Sequence, residues 1–140
     1  MAVALSGPGW SQSADEVRAI YTAAGLKMVG GAWHDGCDNP VTPKIDVLRL
    51  GGPVGDAIAL EVSDAACFGS TGSHITILMR EGSGLRPIFT DLAGGIQVLE
   101  TRHGGVADIE IGVPGMQIPV FRWNGQQYEF WQSRKDPNWN

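Results

Sequence analysis

The stretch "SADEVRAIYTAAG", residues 13–25, repeats apolar side chains at Val17, Ile20, Tyr21 and Ala24, the spacing of a single helical face. Ser13 and Glu16 have capping-box spacing, and Asp15 and Glu16 put negative charge where the helix dipole favours it. Gly25 can close the helix in a left-handed conformation. The pattern predicts one amphipathic helix of about three turns, built to lie on another layer.

From Pro43 onward the period changes to two. Short runs rich in β-branched residues, "KIDVLRL", "AIALEV", "HITILMR", "RPIFT", "GIQVLE", "ADIEIG" and a terminal pair, are separated by glycine clusters. They predict about seven or eight strands. No long helical stretch intervenes, so parallel crossovers have no room and hairpins must join neighbours. The expected fold is α+β: one curved antiparallel β-sheet with the N-terminal amphipathic helix packed against it.

The terminal pair lies in "VFRWNGQQYEFWQ", residues 120–132. Asn124 and Gly125 both tolerate positive φ, so "WNGQ" predicts a two-residue type I′ turn in which Trp123 faces Gln126 and Phe121 faces Tyr128. That register puts Phe121, Tyr128 and Phe130 on a core-facing side. Val120, Arg122, Gln127 and Glu129 fall on a mostly solvated one. Trp123 and Trp131, with Trp139 in the tail, are the aromatics expected to be partly exposed.

At 140 residues and 14.9 kDa one domain spanning residues 1–140 suffices, and a chain of this length buries roughly two thirds of its unfolded surface. Residues 1–12 are expected to form a flexible N-terminus and residues 133–140 a mobile tail. The 20 glycines and 8 prolines favour many turns between short elements. With 15 acidic residues against 10 basic, the net charge is −5, which argues against a nucleic-acid partner.

No apolar run approaches the roughly eighteen residues of a bilayer span, so no membrane insertion is expected. "MAVAL" is too short to be the apolar core of a signal peptide. Either the chain is cytosolic or its export signal has been removed. The opening "MAVALSGPGWSQSADE" reads like a mature N-terminus behind an added start, which favours a periplasmic or secreted location.

Cys37 and Cys67 both sit beside turn residues. In an exported chain such a pair reads as a disulfide, worth roughly 3 to 4 kcal/mol for a loop of about thirty residues, and in a cytosolic chain as two separate thiols. The reactive alternative is Cys67 as nucleophile with His74 or His103 as base. His34, Asp35, Cys37 and Asp38 are metal-competent residue types, but their spacing fits neither a zinc pattern nor a calcium loop. No metal ligand and no cofactor is assigned. "GGPVGD" lacks the spacing and the Lys-Ser/Thr of phosphate loops and reads as a hairpin turn. Two loops, residues 66–74 and 100–105, bring hydroxyls, imidazoles and a guanidinium onto flexible backbone. Phe68, Ser70, Thr71, His74, Arg102 and His103 are their candidates for recognition.

The order "AAGLK…W…GC", "ACFGSTG", then "GGVADIEIG…G…PVFRWNGQQYEFW" resembles a group of small exported bacterial proteins, distantly similar to single blades of the FG-GAP/VCBS type. The similarity spans roughly residues 18–131 and implies an extracytoplasmic location. Blades of that type hold calcium through a D-x-N-x-D-G run. Here Asp46 and Asp56 remain but the spacing is gone, so no ligand is carried over.

Three functions fit these observations. The first is an extracytoplasmic protein-binding module, in the form of an inhibitor or immunity protein, monomeric or homodimeric, acting on an unidentified protein of the cell envelope. The second is a small hydrolase using Cys67, or a constellation drawn from His34, Asp35, His74, His103 and Asp108. The third is a structural accessory domain that docks through an apolar patch around Trp123 and Trp131. The first demands no residue arrangement that the sequence fails to show, and catalysis ranks behind it.

Overall fold

The computed structural model describes residues 13–68, 73–112 and 117–134. The expected N-terminal segment 1–12, and residues 135–140 with Trp139, lie outside them. Helix α1, Ala14–Ala23, starts where Ser13 Oγ accepts the N–H of Glu16 and ends before Gly25, whose φ is +90°. Ten strands follow among the described residues: β1 (Lys27–Val29), β2 (Ala32–His34), β3 (Lys44–Gly51), β4 (Gly55–Ser63), β5 (Ser73–Glu81), β6 (Gly84–Leu92), β7 (Gly95–His103), β8 (Val106–Gly112), β9 (Ile118–Trp123) and β10 (Tyr128–Arg134). A single turn of helix, α2 (Ala65–Phe68), separates β4 from β5.

The expectation of one curved sheet in an α+β fold is corrected. The strands form three antiparallel sheets: the β1–β2 hairpin, a four-stranded meander β3-β4-β5-β6, and a second meander in spatial order β10-β9-β8-β7. The cause is the amount of apolar surface. Eight strands of alternating sequence present far more of it than one ten-residue helix can cover, so the two meanders must bury their faces on each other. Their shared core draws Leu50, Ile77 and Ile88 from the first and Ile109, Trp123 and Tyr128 from the second. Phe89 and Phe121 meet edge-on across it, with centroids 5.0 Å apart.

Helix α1 and the β1–β2 hairpin make a third layer on the far side of the first meander. Ile20 and Leu26 bury there against Ile58, Leu60, Val62 and Leu78, and Tyr21 meets Trp33 edge-on. No helix or hairpin among the described residues packs on the outer face of the β7–β10 sheet, although Asp108, Glu110 and Val120 on that face are buried. That asymmetry positions the site.

The β9–β10 hairpin departs from the expected two-residue turn. Trp123 pairs with Tyr128 and Phe121 with Phe130, leaving a four-residue loop in which Asn124 Oδ1 accepts the N–H groups of Gln126 and Gln127. Because the register moves by two residues, each side chain keeps its face. The loop draws Trp123 inward to 7% exposure, which corrects its assignment as an exposed aromatic. Phe130, expected in the core, is 55% exposed on the edge strand, and Val120, expected in solvent, is buried. Ser133 and Arg134 belong to β10 rather than to a tail, and Arg134 holds Glu110 with two hydrogen bonds.

Candidate functional site

Strand β8 is buried on both faces. Ala107, Ile109 and Ile111 point into the shared core, while Asp108 and Glu110 point to the other side of the sheet. Two shielded carboxylates on one short strand must find donors. The β7–β8 register supplies them for Asp108. Val98 pairs with Ile109 and Arg102 with Ala107, so residues 99–101 bulge opposite Asp108. The bulge aims flanking side chains at that acid. Thr101 Oγ1 donates to Asp108 Oδ2 at 2.6 Å, and His103 Nδ1 lies 2.7 Å from Oδ1.

With Nδ1 committed to a carboxylate, the His103 ring is fixed and its Nε2 edge is turned elsewhere. Trp131, the extra residue of a second bulge in β10, meets the ring edge-on at 4.8 Å, and the Arg122 guanidinium lies 5.7 Å from the Trp131 ring. His103, Arg122, Asn124 and Glu129 border an open cleft of about 630 Å³ between the β3–β4, β7–β8 and β9–β10 turns, with Trp123 and Pro53 also lining it.

Arg102 serves the fold. Its Nη1 donates to the carbonyls of Leu50 and Gly105, tying the β3–β4 turn to the β7–β8 turn. Tyr128 completes the inner side of this end, donating to the Ala107 carbonyl at 2.6 Å. Burial, reinforced by the Asp108 charge, raises its phenol well above the ordinary value, against a lowering by Arg102.

The other expected residues lie elsewhere. Cys37 and Cys67 form a disulfide with Cα atoms 5.8 Å apart, which removes Cys67 as a free nucleophile for His74. His74, in β5, places Nε2 3.0 Å from Thr90 Oγ1. Phe68 ends α2, and Ser70 and Thr71 lie outside the described residues. Of the wider constellation, the structure brings His103 against Asp108 and places Asp35 and His74 along one pocket of about 240 Å³. Arg122, Asn124 and Glu129 were absent from the expected site residues, because only the hairpin register places them beside the β7–β8 turn. No helix among the described residues is long and apolar enough to cross a membrane. No family model, curated protein or solved structure matches the chain.

Proposed function

We propose that the chain is an extracytoplasmic protein-binding module, an inhibitor or immunity protein that engages a cationic enzyme of the cell envelope through the outer face of the β7–β10 sheet. The observation that carries this reading is the Arg122, Trp131 and His103 cluster, anchored by the fully shielded Asp108. Arginine and tryptophan contribute much of the binding energy in protein interfaces, and side chains already held in place lose little entropy on binding. A net charge of −5 steers a cationic partner toward the chain. The Cys37–Cys67 bridge suits an oxidising compartment.

The test is a cell-wall clearing assay with a panel of cationic peptidoglycan hydrolases. The purified chain is expected to slow at least one of them at low salt and less so at high salt. Unchanged clearing across the panel would refute the inhibitor form of this reading.

The 2.7 Å contact between His103 and Asp108 favours a second reading, a histidine-based hydrolase. Among the described residues no Ser, Thr or Cys borders the cleft, so water activated by His103 would be the nucleophile. Turnover of a peptide or ester panel that H103A abolishes would establish it, and no turnover by the wild type would dismiss it.

A further inference from the structure

Arg86 and Arg122 are the half-buried arginines among the described residues. Arg86 is fully occupied: it donates to Glu81 Oε2 at 3.0 Å and to the Gln126 carbonyl at 2.7 Å, with Met79 Sδ at 3.4 Å. Arg122 has no such acceptors. Its guanidinium lies 5.7 Å from the Trp131 ring and makes no hydrogen bond or ion pair with a described residue. Glu129 stands directly opposite it in the β9–β10 register, yet forms no salt bridge with it. Cation–π attraction holds the charge in place but satisfies none of the N–H donors. Asn124 borders the same cleft, and its Oδ1 is committed to two backbone N–H groups at 2.9 Å, which leaves its amide nitrogen to donate. Pro53 and Trp123 supply apolar wall.

We propose that this cleft is a carboxylate-binding site, in which Arg122 takes both oxygens of the ligand group and the Asn124 amide donates beside them. The carboxylate belongs to the partner polypeptide, as an Asp or Glu side chain or as its C-terminus. The inference deepens the recognition reading above and rests on it for the source of the group.

The chemistry selects that group. A guanidinium presents a planar fork of donors that matches a carboxylate, and a concave, partly desolvated setting strengthens the pair. Glu129 on the cleft wall and Asp108 behind His103 repel a second negative charge, which favours a monoanion over a phosphate dianion. The net charge of −5 governs the approach of a cationic partner, whereas at contact distance Arg122 sets the sign inside the cleft.

The test is an NMR titration at fixed pH and ionic strength, read at the Trp131 indole N–H and the Arg122 Nε–H. The probes are N-acetylglycine for a C-terminus, N-acetylaspartate N-methylamide for a side chain, the uncharged N-acetylglycine N-methylamide, and inorganic phosphate. The carboxylates are expected to bind at about 1–10 mM, phosphate about tenfold or more weakly, and the amide not at all. R122K keeps the charge but loses the fork, and is expected to weaken the carboxylates about tenfold or more. Binding of one carboxylate and not the other supports the site and names the source. No saturable binding of either, phosphate held as tightly as they are, or undiminished binding by R122K would overturn the inference. If R122K does not fold, the comparison of probes on the wild type decides alone. Carboxylate binding with no hydrolase slowed in the clearing assay leaves the site standing and fails the inhibitor reading. A hydrolase slowed as strongly by R122K as by the wild type fails the site and keeps that reading.

Discussion

His103 Nδ1 stands 2.7 Å from Asp108 Oδ1, with the acid side chain at 0% exposure and the imidazole at 32%. A shielded charge therefore supports a half-open ring, and the ring supports Trp131. Removing the acid leaves the Thr101 hydroxyl and His103 Nδ1 without their acceptor. D108A is expected to cost about 3 kcal/mol in urea unfolding, and D108N less, because its amide oxygen still accepts one hydrogen bond.

Two tryptophans of the last hairpin should separate stability from recognition. W123A empties a buried position in the shared core and is expected to cost about 3–5 kcal/mol. Trp131, 38% exposed, contributes chiefly a ring edge and a cation–π contact, so W131A is expected to cost about 1 kcal/mol or less. Thermal or urea unfolding measures both.

Gly52 sits at φ +58° in the β3–β4 turn, and a Cβ there would lie 2.9 Å from the Gly105 backbone. Both turns are backbone at the contact and have nowhere to yield. G52A is expected to destabilise by about 1–3 kcal/mol. Spectra of the β7–β8 turn should shift with it, since Arg102 ties the same two turns together.

Burial holds the His74 imidazole below its ordinary 6.5, with Asp91 opposing. As pH falls, the unfolded chain takes up this proton before the folded one. Stability from neutral His74 is therefore complete above about pH 6.5 and is lost as pH falls through the lower folded value. H74Q is expected to flatten that part of the stability profile in denaturant titrations at stepped pH.

The local elements were legible because each is set by neighbours in sequence. The Ser13 and Glu16 cap gave α1, and alternation in "KIDVLRL" and "HITILMR" gave β3 and β5. The pairing of Cys37 with Cys67 followed from there being two cysteines in a chain read as exported. Face parity in the last hairpin survived a wrong register, because the error was two residues. What failed depends on contacts distant in sequence. Two facing meanders and one curved sheet share the same alternation, and only the balance of apolar area against covering layers separates them. The strands β1 and β2, three residues each, are too short to show a period. Asp108 and His103 each appeared among the candidate residues, but their meeting depends on the bulge at residues 99–101, which no turn residue announces.

The most direct measurement is photo-crosslinking in cells that produce the protein, with a photoreactive amino acid placed at position 131 or, as a control, at the exposed Thr22 of α1. A single discrete adduct from position 131, absent from position 22 and weakened by salt, is the expected result for recognition through the β7–β10 face. No adduct from position 131, or the same adducts from both positions, would contradict it.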